Sequence, residues 1–362
     1  MKTKLPNLVI GDLVINPPIV QGGMGVRISL SRLAAAVANE GAVGTIACAL
    51  IGGLKSHLSM DDHVNADMKE LAEQIKKAKI MTTGVLAVNI MVALTNYVPL
   101  VKTAVEEGID IIFSGAGLPL SLPEYVKNSK TKIVPIISSA RAADLMCKVW
   151  ITKHNYVPDA LVLEGPLAGG HLGFSFKELE SEQTMPDVFN ILVEVLEVAR
   201  KYEKIHNKKI PVIVGGGIYD GKDIARALKI GASGVQMATR FACTYECDAS
   251  DRFKQAYIDC KKEDIVIIRS PVGMPGRAIN NEFLERSKRG EIKFKCYYQC
   301  LKTCTPPKSP YCIADALLNA AYGNLDKGFV FVGANAYRCN KIVSVKELIQ
   351  ELVTETEKEL GL

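Results

Sequence analysis

The chain has 362 residues, 48% hydrophobic and 23% charged, a composition that supports a large core and excludes a disordered or fibrous protein. Its 44 basic and 39 acidic residues give a net charge of +5. They are spread along the chain rather than gathered in a block, which hints at anionic ligands and makes no case for nucleic acid.

The amino terminus, "MKTKLPNLVIGDLVINPP", is broken by Pro6, Asp12 and Asn16 and shows neither the apolar core nor the cleavage site of a signal peptide. The most apolar stretch, "GVLAVNIMVAL", is too short to span a bilayer and carries Asn89. A cytoplasmic setting with no membrane contact is expected. The ten cysteines are then expected to be reduced thiols or metal ligands rather than a disulfide framework.

Eight short runs follow in chain order: "PIVQGG", "AVGTIA", "GVLAVNIMV", "DIIFSGAG", "KIVPIISS", "DALVLEGPLAGG", "PVIVGGGI" and "SGVQMATRF". Each is apolar throughout rather than alternating, as a strand buried on both faces reads. Between them lie helical patterns such as "SLSRLAAAVANEG", "NYVPLVKTAVEEG" and "DGKDIARALKIGA". Eight strands with helical crossovers suggest an α/β fold, a (β/α)8 TIM barrel, rather than a doubly wound sheet. The barrel is expected over residues 1–264. A cysteine-containing insertion over the active-site face is expected at 265–315, and helices packing on the barrel at 316–362, where "SVKELIQELVTETEKEL" reads as amphipathic.

Glycines collect at the carboxyl ends of the runs, where a barrel builds its active site. In "PVIVGGGIYDGKDIARALKIGASGVQMATRF" one strand ends in three glycines and the next in "QMATR". That matches the phosphate site barrels build after their last two strands, with small residues admitting backbone N–H groups and Thr239 adding a hydroxyl. Met24, after the first glycine pair, and Asn89, the amide of its strand, suit the flat face and polar edge of an isoalloxazine ring. Taken singly, Met24 serves equally as core and Asn89 equally as a partner for neighbouring backbone.

"PIVQGGMG", "VNIMV", "EGPLAGGHLG", "VGGGI" and "GASGVQMATRF", in this order over about residues 15 to 245, resemble the nitronate monooxygenase (2-nitropropane dioxygenase) family of FMN-dependent TIM-barrel enzymes, near relatives of the flavin-containing enoyl-acyl-carrier-protein reductases. The resemblance implies non-covalent FMN with Gly22, Gly23, Met24 and Asn89 near its ring and Glu164, Gly169 and Gly170 beside it. It places Gly216, Gly217, Gln236, Met237, Ala238 and Thr239 at the phosphate, with Ala238 standing where the family usually has glycine.

His171, in a glycine-rich loop after the sixth strand, is then the expected catalytic group. A neutral imidazole there can take a proton from carbon beside a nitro or carbonyl group, or hydrogen-bond the resulting anion. His57, His63, His154 and His206 read as solvated surface.

The expected activity is oxidation of alkyl nitronates by oxygen to a carbonyl compound and nitrite, a substrate class the resemblance alone supplies. The alternatives are an NAD(P)H-dependent flavin reductase of enoyl-thioester type, for which Arg27, Arg141 and Arg277 are candidates for a basic docking patch, and a flavin-binding redox sensor without turnover. A small-molecule substrate is the expected partner, and a homodimer is left open.

Cys296, Cys300, Cys304 and Cys312 in "CYYQCLKTCTPPKSPYC" supply the four thiolates an iron–sulfur cluster or zinc requires. The first three also fall on one helical face, which ordinary buried or surface thiols would do as well.

Overall fold

The computed structural model describes residues 3–55, 58–181 and 183–362. An antiparallel hairpin, β1 (Leu8–Ile10) and β2 (Leu13–Ile15), leads into regular alternation. β3 (Ile19–Gln21), α1 (Ser31–Asn39), β4 (Gly44–Ala47), α2 (Met60–Met81), β5 (Leu86–Met91) and α3 (Tyr97–Glu106) come first. β6 (Ile111–Gly115), α4 (Leu122–Tyr125), β7 (Lys132–Ile137), α5 (Ala140–His154) and β8 (Leu161–Glu164) follow. A two-residue strand, β9 (Gly170–His171), precedes α6 (Val188–His206), β10 (Val212–Gly215), α7 (Gly221–Ile230) and β11 (Gly234–Met237).

Eight of these strands form one parallel sheet in the order β3-β11-β10-β8-β7-β6-β5-β4. The ring closes where Val20 bridges Val43, with Gln21 N–H donating to the Val43 carbonyl (2.9 Å) and Val43 N–H to that of Ile19 (2.9 Å). The protein is a (β/α)8 barrel, and its strands are the eight apolar runs of the sequence.

The runs are apolar throughout because both strand faces are buried. Ile111, Phe113, Val162 and Ile213 point into the barrel, while their neighbours Ile112, Leu161, Leu163, Val212 and Val214 pack under the helices. Leu8, Ile10 and Ile15 of the hairpin join the inward cluster and close the amino-terminal end. Only the carboxyl ends of the strands are left open for a ligand.

Local chemistry sets the helix limits. Asp220 and Asp223 form a capping box at the start of α7, and Gly231 ends that helix at φ +118°. Among the described residues no helix is long and apolar enough to cross a membrane.

Beyond the barrel come α8 (Thr239–Ala242), α9 (Asp251–Ile258), β12 (Ile265–Arg269), β13 (Pro275–Ile279), α10 (Glu282–Lys288), α11 (Ile313–Ala321) and α12 (Val345–Leu360). The β12–β13 hairpin reaches back to the barrel mouth and takes β9 as a third strand, pairing Gly276 with His171 and Arg277 with Gly170. α12 docks on α7, its Glu355 accepting from Gly221 N–H (3.0 Å).

Two expectations need correction. Residues 296–304 are not helical. Leu301 bridges Leu94, Thr95 N–H donates to the Cys300 carbonyl (3.1 Å) and Lys302 N–H to that of Ala93 (2.9 Å). The backbone groups a helix would have used are spent on the loop after β5. The cysteine spacing therefore marks no helical face. Among the described residues no three His, Cys, Asp or Glu side chains form a group able to hold a metal ion. Cys296, Cys300, Cys304 and Cys312 are free thiols, and Cys300 is buried.

The histidines are the second correction. His63 is buried, stacked on Tyr298 at 4.9 Å and bonded through Nδ1 to the Ser59 carbonyl (2.8 Å). The His154 side chain is largely covered, its Nε2 on the Leu120 carbonyl (2.9 Å). Both rings are packed against the protein and bond a backbone carbonyl rather than standing free in solvent, which their polar sequence neighbours conceal. His206 is exposed, and His57 lies outside the described residues.

Candidate active site

The carboxyl ends of the barrel strands enclose a cavity of about 430 Å³, within the roughly 300–1,000 Å³ range of small-molecule sites. Gly22, Gly23 and Met24 line it from the end of β3, Asn89 from β5 and Glu164 from β8. Gly169, Gly170 and His171 line it from the excursion after β8. Gly216 and Gly217 after β10, with Gln236, Met237, Ala238 and Thr239 at the end of β11, complete that wall. All fourteen candidates thus meet in one place, although they span more than 200 residues of sequence.

Their polar side chains are spare. Among the described residues, Asn89, Glu164, Gln236 and Thr239 have no side-chain hydrogen bond to protein. Asn89 is therefore not consumed by neighbouring backbone. All four line the cavity with part of the side chain exposed to it, so their hydrogen-bonding capacity is available to whatever enters. Burial alone pushes the Glu164 carboxyl up to about 7, since no cation or donor favours its charged form.

His171 is held rather than loose. Its backbone belongs to β9, its ring meets Phe331 edge-on at 5.0 Å, and its Nε2 lies 2.7 Å from the Ser270 hydroxyl. Ser270 Oγ also accepts the Val272 N–H (3.2 Å). Nδ1 has no protein partner among the described residues. Burial pulls the imidazole down to about 4, so the ring is neutral across the physiological range. The glycine loop of the sequence reading is thus a strand end clamped by the β12–β13 hairpin.

The glycines do more than make room for a ligand. A Cβ on Gly169 would stand 2.6 Å from the Val332 carbonyl carbon, and one on Gly216, at φ +82°, 2.5 Å from Gly165 backbone. These two are demanded by close backbone packing. Gly170, at φ +73°, has open space where a side chain would be.

Several lining residues escaped the sequence reading. Ser138 and Ser139 come from the end of β7, Met274 from the β12–β13 turn, Tyr257 from α9, and Phe331 and Gly333 from a segment that pairs with β13. Arg277, on β13, is buried and donates Nη1 to the carbonyls of Pro166 (2.7 Å) and Ala168 (2.6 Å). Burial holds it down to about 10, and it has no carboxylate partner among the described residues. Sequence signals existed for some of them: Ser138 and Ser139 close the run "KIVPIISS", and "SPVGMPG" marks the turn that carries Met274, whereas Tyr257, Phe331 and Gly333 had none.

The three arginines proposed as a docking patch do not form one. Arg277 is turned inward, Arg27 bonds the Ile51 carbonyl and pairs with Glu70 (3.7 Å), and Arg141 lies exposed on α5.

Comparison with known proteins places the chain. A probable nitronate monooxygenase of Staphylococcus aureus is 26% identical over 315 residues, covering 77% of this chain and 79% of the relative. A (3aS,4S,5R,7aS)-5-hydroxy-7a-methyl-1-oxo-octahydro-1H-indene-4-carboxyl-CoA dehydrogenase of Mycobacterium tuberculosis is 27% identical over 276 residues, covering 76% of this chain and 66% of that protein.

Among solved structures, FabK from Thermotoga maritima superposes with a TM-score of 0.74 at 26% identity, covering 96% of this chain and 94% of that one. A nitroalkane oxidase from Streptomyces ansochromogenes gives 0.72 at 20% identity, covering 96% and 97%, a likeness of fold. The nitronate monooxygenase family model matches residues 7–355. With a match over nearly its whole length, this chain belongs to the nitronate monooxygenase family of flavin-dependent oxidoreductases.

Proposed function

We propose that the cavity binds FMN and that the protein oxidises alkyl nitronates with oxygen to a carbonyl compound and nitrite. The observation that carries this is the meeting of a clamped, neutral His171 with four unpartnered polar side chains around one cavity. The residues fit the cofactor. The Thr239 hydroxyl and the glycine-lined turn at Gly216 and Gly217 offer donors to a phosphate in a wall too thin for side chains. Met24 offers a polarisable apolar surface, and Asn89 and Gln236 offer free amides for a polar ring edge.

When bound, FMN supplies the one- and two-electron chemistry that no side chain here can provide. The chain's part is to bind and orient. His171, neutral and with Nδ1 free, takes a proton from the carbon beside a nitro group, or donates to the nitronate oxygen. The Arg277 charge, behind the Pro166–Ala168 turn, favours an anion in the cavity. Phe331 and Met274 exclude water from the histidine side.

The test is an anaerobic titration of purified protein, with released cofactor identified by mass spectrometry. Flavin bands that bleach on addition of ethyl nitronate, with nitrite formed once air is admitted, are the expected result. Bleaching by NADH or NADPH and not by nitronate would replace this function with the reductase. That second activity draws support from the likeness to FabK and to a dehydrogenase named for a carboxyl-CoA substrate, and loses support from the absence of a patch formed by Arg27, Arg141 and Arg277.

A further inference from the structure

A second cavity, of about 310 Å³, is lined by Arg240, which follows Thr239 of the first cavity in α8, and by both Cys243 and Cys339. Cys243 follows α8 directly. Its carbonyl accepts Val343 N–H (3.2 Å), and Thr244 bridges Val343, so the segments carrying the two cysteines run paired. Both cysteines are buried and share the lining of this one cavity, and the Tyr219 hydroxyl donates to Cys339 Sγ at 3.7 Å.

Two guanidiniums flank this group. Arg338 lies 4.0 Å and Arg240 4.9 Å from the Tyr219 ring centre. Each is fixed by an acid, Arg338 by Asp220 (2.7 Å) and Arg240 by Glu351 (2.8 Å). None of the nitronate chemistry uses these residues. We propose that Cys339 and Cys243 form a redox-active dithiol in which Cys339 is oxidised by hydroperoxides and Cys243 resolves the product to a disulfide.

The two thiols are not equivalent. The neighbouring Cys243 thiol, then the hydrogen bond from Tyr219 and the charges of Arg240 and Arg338, hold Cys339 below the usual thiol range despite burial. The neighbouring Cys339, with burial, pushes the Cys243 thiol well up. Cys339 is thus the more readily ionised of the two, and Cys243 keeps the proton that the second step needs. A low-pKa thiol beside a resolving thiol is the arrangement that peroxide-sensing cysteines share.

In the first step the Cys339 thiolate attacks the hydroperoxide. An S–O bond forms, the O–O bond breaks, and the departing alkoxide takes up the proton Cys339 lost on ionising. In the second, Cys243 sulfur attacks Cys339 sulfur. The S–S bond forms, the S–O bond breaks, and hydroxide leaves as water with the Cys243 proton. Two electrons pass from the dithiol to the peroxide. The disulfide ties α8, which carries Thr239, to the segment whose Asn335 amide donates to the Gly217 carbonyl (2.9 Å).

The test treats the purified protein with graded hydrogen peroxide, blocks remaining thiols with N-ethylmaleimide and maps the peptides by mass spectrometry. A Cys243–Cys339 cross-link is expected at the lowest peroxide doses, before oxidation at Cys296, Cys300, Cys304 or Cys312. In Cys243→Ser the cross-link is lost and dimedone labels Cys339 as a sulfenic acid. In Cys339→Ser both signals vanish. Oxidation of the other cysteines while Cys339 stays a thiol would overturn the proposal, as would a dimedone adduct at Cys339 no stronger than at buried Cys48. Should either variant fail to fold, the order of oxidation in the unmodified chain decides alone.

Discussion

His171 and Glu164 line one cavity and are both shifted by burial toward their neutral forms, the imidazole down to about 4 and the carboxyl up to about 7. Replacing His171 with Asn keeps a polar group but removes the base. It should lower kcat/KM roughly 100-fold, the usual worth of a positioned acid–base group. In the unmodified enzyme the acid limb of the pH–rate profile should fall near pH 4 rather than 6.5.

Glu164 makes a separate prediction about stability. Between its unfolded value of 4.5 and its folded value of about 7 the native state holds the extra proton. Stability therefore falls as pH rises through that window and levels off above it. The loss is on the order of 3 kcal/mol. Urea unfolding of flavin-free protein at pH 5 and pH 8 should show this difference, and Glu164→Gln should lack it. The glycines around His171 advertised a ligand loop in the sequence. Ser270, its hydrogen-bond partner, lies 99 residues away and is one serine among many, and pairing at that distance leaves no local pattern to read.

At the scale of elements, the barrel strands were legible because burial on two faces leaves no polar alternation, and α7 because its cap and Gly231 mark both ends. The clamp on the site was not. β9 is two residues long, and its partners belong to a hairpin that local composition marks only as turn-rich. The Cys296–Cys304 stretch misled because a four-residue spacing is helical only when the backbone bonds to itself, and here it bonds to the loop after β5.

Arg277 is the element's keystone, joining β13 to the Pro166–Ala168 turn through two buried carbonyls. Arg277→Ala leaves both unpaired, at roughly 1–3 kcal/mol each. Urea midpoints should drop accordingly, and the released turn should lower activity below that of the unmodified enzyme even where the variant is fully folded. Unchanged activity in folded Arg277→Ala would show that the clamp does not position His171.

The whole molecule separates stability from chemistry along the barrel axis. The hairpin residues Leu8, Ile10 and Ile15 plug one end, and the ligand cavity opens at the other, with the inward cluster of Phe113, Val134, Val162 and Ile213 between. Ile10 is fully buried, so Ile10→Ala should cost about 2–5 kcal/mol through lost burial and the cavity it leaves. None of that cost falls on a residue that lines the ligand cavity.

Affinity for FMN should therefore survive the substitution, and FMN at about 100 times its Kd should return roughly 2.7 kcal/mol of stability by binding only the native state. Thermal unfolding of Ile10→Ala with and without FMN measures both quantities in one experiment. A midpoint that falls and is then raised by FMN as far as in the unmodified chain is the expected result. A midpoint that FMN does not raise in either chain would show that the upper cavity is not a flavin site, whatever the barrel below it contributes to folding.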